Sequence, residues 1–277
     1  MQIPWKLKSA AFSVFDVTGQ APLYLAQKYL TRRSRVSFDA VNPSWEFHRA
    51  NLAEAGAESL VEFGAGKSLA QNLFLSTSGI RQELVDLNAM LDVALVNDAI
   101  DRLEAIGVRL KGHVSSFAEI ASKYRINYAA PVDMQQTAFA GGSIDACIST
   151  NTLEHIPAPV ISGIWKEVSR ILRPGGIVSA KIDYSDHYAH SDRSISPLNY
   201  LTFSGETWRR YNHSCHYQNR LRHQHHLDLL TGAGFEIVSQ RALQSVPTDG
   251  LNILRDNLTG NDTDFCVAGF VLARKPD

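Results

Sequence analysis

The sequence predicts an α/β fold: a doubly wound, mostly parallel seven-stranded sheet, with an N-terminal helical extension and an insertion late in the chain. Three observations predict it. From about residue 58 onward, short apolar runs alternate with stretches of helical spacing. The apolar runs are continuous rather than alternating, as in strands buried on both faces. The first of them passes directly into a glycine turn, Gly64-Ala65-Gly66, ahead of a helical stretch.

The elements follow in order. Residues 1–57 are helical in texture and form an N-terminal extension or lid. Pro22 opens one helix that ends on the basic residues Arg32, Arg33 and Arg35, where cations suit the helix dipole. That basic end has four readings: a solvated helix end, a cover for the site, a contact with an anionic membrane surface, or a homodimer contact. Pro43 opens a second helix, which Gly56 ends. Residues 58–277 form the main domain. LVEF is a strand, GAGKS a turn and LAQNLFL a helix. ELVDL is a second strand ending at Asp86, and NYAAPVDM a third with Asp133 near its end. Residues 88–126 are longer than one crossover needs and hold two helices. IDACIST is the fourth strand, followed by the helix ISGIWKEVSRIL, which Pro174, Gly175 and Gly176 stop. GIVSAKIDY is the fifth strand, and FEIVSQRAL and CVAGFVLARK close the sheet. Residues 183–228 interrupt this alternation with a segment dense in His, Tyr, Arg and Asp.

Composition narrows the function. The 277 residues carry a net charge of −1, with 44% hydrophobic and 20% charged residues, which is ordinary for a globular chain. No basic domain or stripe points to nucleic acid. No apolar run is long enough for a transmembrane span, and the first residues do not read as a secretory signal. Cys147, Cys215 and Cys266 form neither a CxxC pair nor an even disulfide framework, so a cytoplasmic location is expected.

The glycine turn alone has three readings. A phosphate-binding P-loop needs glycine five positions before Gly66, and Val61 stands there. A dinucleotide loop, as in an NAD(P)-dependent oxidoreductase, needs a third glycine where Leu69 stands, although Asp86 fits its acidic position. The third reading rests on five motifs in fixed order: Glu62-Phe63-Gly64-Ala65-Gly66; Asp86 at a strand end; Asp133-Met134; STNTLEHIP from Ser149 to Pro157; and the Arg173-Pro174-Gly175-Gly176 turn. In these the chain resembles the class I S-adenosylmethionine (SAM)-dependent methyltransferases, especially those with a type 11 methyltransferase domain. Ser68 stands where that family usually has its third glycine.

The resemblance implies a Rossmann-like fold, SAM as cofactor with S-adenosylhomocysteine as product, and a set of site residues. Glu62 would accept from the methionine ammonium, and Gly64, Ala65 and Gly66 would lie along the cofactor. Asp86 would hold the ribose hydroxyls, with Leu87 beside it, since a carboxylate only accepts. Asp133 would take the adenine amino group, with Met134 against the ring. Thr150 and Asn151 would lie near the methyl-bearing sulfur, and Trp45 and His48 would face the cleft from the N-terminal region.

The insertion is where acceptor contacts are expected: Tyr184, Tyr200, Trp208, Arg209, Tyr211, His216 and Arg220, a set suited to a polar small molecule. His187 or His190 is the leading base, with His155 as another, since an imidazole takes a proton near neutral pH. Each of these histidines has a plain structural alternative, packing or capping. Asp183, Asp186, His187 and His190 hold metal-type donors, and so do His213, Cys215 and His216. Their spacing matches no usual zinc pattern, so no metal is expected. The function expected is methyl transfer to a small polar acceptor, most naturally O-methylation of a sugar or natural-product intermediate. The alternatives are the oxidoreductase and a SAM-binding module without turnover.

Overall fold

A computed structural model of the chain describes residues 3–18 and 36–277. Seven strands form a single sheet: β1 (Ser59–Phe63), β2 (Arg81–Val85), β3 (Ile126–Ala129), β4 (Ile144–Thr150), β5 (Leu172–Asp183), β6 (Glu236–Ser245) and β7 (Cys266–Arg274). Their spatial order is β3-β2-β1-β4-β5-β7-β6. The first five run parallel, and β7 pairs antiparallel with both β5 and β6. The mostly parallel doubly wound sheet is therefore present, closed by the antiparallel pair.

Alternation along the strands builds two cores. Leu60, Leu84, Ala146, Ile148 and Ile177 face one side of the sheet, while Val61, Val85, Cys147, Val178 and Ala180 face the other. Both sides must be covered, which explains the unbroken apolar runs. On the first side lie α2 (Pro43–Glu54), α3 (Ala70–Ser76), α4 (Val93–Ala105) and α5 (Phe117–Tyr124); on the second lie α6 (Ala158–Ile171) and α8 (His223–Gly232). Caps fix several starts: Asn42, Asp92 and Ser116 each accept a backbone N–H of the first turn of α2, α4 and α5.

Three features differ from the sequence expectation. The third strand stops at Ala129, before the cis Ala130–Pro131 bond, so Asp133 lies on the turn beyond it. A helix α1 (Trp5–Thr18) forms in the stretch read only as helical in texture, while the helix expected from Pro22 to Arg35 lies outside the described residues. The insertion, expected to supply acceptor contacts, builds a third core. Trp5 from α1 joins Tyr188, Leu198, Tyr200, Leu201 and Trp208, the last on the short helix α7 (Gly205–Arg209). Tyrosines supply the apolar bulk that aliphatics do not, and their hydroxyls find carbonyls: Tyr200 donates to Tyr184 O at 2.6 Å and Tyr188 to Tyr211 O at 2.6 Å. Arg222, fully buried, donates to the carbonyls of Asp264, Tyr184 and Cys266 and to the Tyr200 hydroxyl. No described helix is long and apolar enough to cross a membrane.

Candidate active site

Strand order reverses between β1 and β4, and in open parallel sheets ligands bind beyond the carboxyl ends of the strands at that point. Here the loop after β1 meets the loop after β4. Gly64 has φ +73°, and a Cβ there would lie 2.7 Å from Thr152 Oγ1 and nearer still to its Cγ2. Gly66 also has positive φ, +78°, but with open space around it. Glycine is thus required twice, once for close approach and backbone sign together and once for backbone sign alone.

A cavity of about 410 Å³ opens at this place. Its lining includes Gly64, Asp86, Leu87, Asp133, Met134 and His155, which the sequence had separated by up to 91 positions. Asp86 is 4% exposed, and its Oδ2 has no hydrogen-bond partner. Burial holds its pKa above the ordinary carboxylate value, while the nearby Tyr128 hydroxyl and the backbone N–H groups of Gly64 and Ala65 pull the other way. Met134 is buried, and Asp133, exposed, accepts from Gln135 N at 2.9 Å.

Glu62 sits deeper. Gln71 Nε2 donates to its Oε1 at 2.9 Å and Asn72 Nδ2 to its Oε2 at 2.6 Å. Burial nevertheless pushes its pKa up to about 8. A one-way chain of hydrogen bonds ends on it. Asn51 donates to Ser179 Oγ at 2.9 Å, Ser179 pairs with His48 Nδ1 at 2.8 Å, and His48 Nε2 pairs with Thr150 Oγ1 at 2.9 Å. Thr150 donates to Gln71 Oε1 at 2.9 Å, so its oxygen accepts from His48 Nε2–H and His48 Nδ1 accepts from Ser179. Burial drives the His48 pKa down to about 3, which keeps the ring neutral in this role. Sequence reasoning placed His48 and Trp45 at the cleft. His48 instead serves this buried chain, and Trp45 packs between Phe38 and Phe74 in the first core. Gln71, Asn72 and Thr152 were not singled out, and no local pattern marks them.

Asn151, with φ +51°, ends β4 and accepts from Lys181 Nζ. Beyond it, His155 Nδ1 donates to Tyr217 O at 2.9 Å, and Asn219 Nδ2 donates to Leu153 O and Ile156 O at 2.7 and 2.8 Å, tying the insertion to this turn. His155 also lines a second cavity of about 240 Å³, with Cys215, His216 and Tyr217. The ring of His187 stands 4.9 Å from that of His155, 5.0 Å from His190 and 6.0 Å from His216. Burial and the neighbouring histidines lower the His187 pKa to about 4.

The structure thus brings His155, His187, His190 and His216 together, with His155 lining the cavity. It does not bring the other expected acceptor contacts there. Tyr184, Tyr200 and Trp208 are buried at 1%, 1% and 4% exposure in packing roles, because a ring large enough to bind a ligand is also what the insertion needs for a core. Arg220 donates to Phe203 O, Tyr211 packs on Trp5, and Arg209 is exposed on α7.

Residues 92–180 match the family model described as a methyltransferase domain. No curated protein matches the chain. Among solved structures, the chain is similar to phosphoethanolamine N-methyltransferase 2 of Haemonchus contortus in complex with SAM. That match has 16% identity, covers 96% of this chain and 60% of that one, and has a TM-score of 0.53. The chain is also similar to the 4+2 cyclase SpnF, with 14% identity, coverage of 97% and 96%, and a TM-score of 0.51. These likenesses show the fold. That a cyclase shares it means the reaction must be argued from the site.

Proposed function

We propose, from the premise that the chain carries a class I SAM-dependent methyltransferase domain, that it methylates a small polar acceptor, at oxygen, in the class of sugars or natural-product intermediates. The observation that carries this reading is the cavity at the strand-order switch, lined by Gly64, Asp86, Leu87, Asp133 and Met134 and bordered by His155. The residues fit the cofactor on two counts: Asp86 Oδ2 is buried without a partner, as a group awaiting a hydroxyl would be, and a side chain at Gly64 would fill the cradle. Asp86 would hold the ribose, Asp133 and Met134 the adenine, and the Gly64–Gly66 backbone the rest of the molecule. Glu62, Thr150 and Asn151 support the methionine end, with the His48 chain keeping Glu62 and Thr150 in place.

SAM supplies a methyl group already activated on a sulfonium. The protein's work is to align donor and acceptor, to exclude water, and to take the acceptor's proton. The cluster of His155, His187 and His190 is placed for the last task. His155 Nδ1–H is committed to Tyr217 O, which leaves Nε2 with its lone pair free. A positioned base contributes about 10²–10⁴-fold. Residues 183–228 would shape the acceptor site, and residues 1–57 would buttress the domain of residues 58–277.

Calorimetric titration with SAM and S-adenosylhomocysteine, followed by methyl mass gain over a panel of hydroxylated acceptors, tests the reading. No binding by folded protein at high micromolar ligand would sink it. Thermal stabilisation by NADH but not by SAM would establish the oxidoreductase reading instead.

A further inference from the structure

We propose that Glu154, His155, His187 and Asp183 form a binding site for a divalent transition-metal ion of the zinc class, beside the cofactor cavity. The ligand-type atoms of Glu154, His155 and His187 lie within 4.8 Å of one another, and so do those of Asp183, His187 and His190. His187 belongs to both groups and stands at the centre. Sequence spacing hid this site because the donors come from separate places: the turn after β4, the end of β5 and the start of the insertion.

The surrounding bonds leave one ligand atom open on each residue. His155 gives its Nδ1–H to Tyr217 O, so Nε2 carries the free lone pair. Asp183 accepts Ser185 N and Ser185 Oγ at its Oδ1, at 2.8 and 2.6 Å, and turns its Oδ2 toward His187 Nε2 and His190 Nε2, each 3.7 Å away. Glu154 is 2% exposed with Oε2 unpartnered, and the buried His187 Nε2 has no hydrogen-bond partner either. Two buried, unpaired ligand-type atoms on residues of one such group call for an explanation. Histidines oriented through their second nitrogen by a carbonyl, and carboxylates held by their second oxygen, are the arrangement that metal sites use to aim their ligands.

Bonds of about 2.0–2.1 Å put tetrahedral ligand atoms roughly 3.3 Å apart. The 3.7 Å separation of His187 and Asp183 needs only a small side-chain contraction to reach it. Two imidazoles with two carboxylates favour zinc-class ions over magnesium or calcium, which take oxygen donors. The two carboxylates also neutralise the ion in a buried place. His190, whose side chain is 56% exposed, stands at the outer edge. The site's existence is independent of methyl transfer; its use rests on the function proposed above, with the bound ion polarising the acceptor's oxygen and His190, off the ion at the outer edge, left to take the proton in place of His155 and His187.

Tag-free protein stripped with chelator is titrated with Co2+, read by visible absorption, and with Zn2+ against a chromophoric chelator. The expected result is a saturable Co2+ spectrum at a single equivalent, displaced by Zn2+. Affinity should fall about 100-fold or more in His187→Ala and be unchanged in His113→Asn, an exposed histidine outside the cluster. Glu154→Gln, equal in size, serves if His187→Ala does not fold, and should weaken binding likewise. No saturable spectrum overturns the proposal, as does equal affinity in the folded cluster variants. S-adenosylhomocysteine calorimetry on the same stripped protein reports separately on the cofactor site, so the two readings fail independently.

Discussion

Gly64 offers the sharpest test of the site's construction, because Gly66 provides its internal control. Both have positive φ, +73° and +78°. Alanine at either position meets the left-handed cost, roughly 1–2 kcal/mol. Only at Gly64 does the new Cβ also collide, with Thr152 Oγ1 at 2.7 Å and Cβ at 3.2 Å. Overpacking of this kind costs about 1–3 kcal/mol more. Gly64→Ala should therefore destabilise the fold by roughly 2–5 kcal/mol, against about 1–2 for Gly66→Ala. Removing Thr152 Oγ1 and Cγ2 by Thr152→Ala should restore about 1–3 kcal/mol to Gly64→Ala and nothing to Gly66→Ala. Urea denaturation of the three single variants, the two doubles with Thr152→Ala and the wild type gives the stability cycles, and S-adenosylhomocysteine calorimetry gives the matching binding cycles. If Gly64→Ala and Gly66→Ala cost the same, or Thr152→Ala fails to rescue the first, the close approach of the two loops is not what requires glycine.

Asp86→Ala removes the acceptor proposed for the cofactor's ribose and should weaken S-adenosylhomocysteine binding by about 1.5–3 kcal/mol, roughly 10- to 150-fold, in calorimetry. Glu62, raised to about 8 from an ordinary carboxyl value, binds more protons folded than unfolded between pH 4.5 and 8. Its contribution is therefore present at low pH and lost as pH rises through that window. Glu62→Gln should flatten the decline, and an unchanged slope in pH-dependent urea denaturation would count against it. His48 and His226, both lowered to about 3 by burial, act at the other end. Stability falls as pH drops from about 6.5 toward 3, by about 1.4 kcal/mol per unit for each group, and His48→Gln should reduce that slope. Trp5 packs at tilted and edge-on angles against Tyr188, Phe203 and Tyr211, so Trp5→Ala should cost about 3–5 kcal/mol and speed proteolysis of the insertion. Its S-adenosylhomocysteine affinity should stay near wild type, because none of its ring partners borders the cavity at Asp86.

The fold was legible because its signals are local. Strands buried on both faces must be apolar throughout, and the turn after β1 must hold glycine where a neighbouring loop leaves no room for a side chain. Asp86, Met134 and the Gly64 turn were grouped through the ordered motifs and the family resemblance they carry, and all three line one cavity. Where roles depend on contacts between distant segments, no local signal exists. The amides that hold Glu62, the chain through His48, and Thr152 facing Gly64 come from different elements, and only the tertiary structure shows them meeting. The insertion shows the limit most clearly. Its tyrosines, tryptophan and arginines have the chemistry of a binding loop, and composition cannot distinguish that from a core built of aromatic rings with their hydroxyls satisfied. Packing decided it, with Tyr200 and Trp208 turned into the core that Trp5 of α1 joins, Tyr184 turned into the core beneath α8, and His155, His187, His190 and His216 left clustered beside one another. The sequence alone determined the sheet and the glycine turn at its switch point; the tertiary structure decided which polar residues remain available, because burial and hydrogen-bond partners are properties of neighbours rather than of residue type.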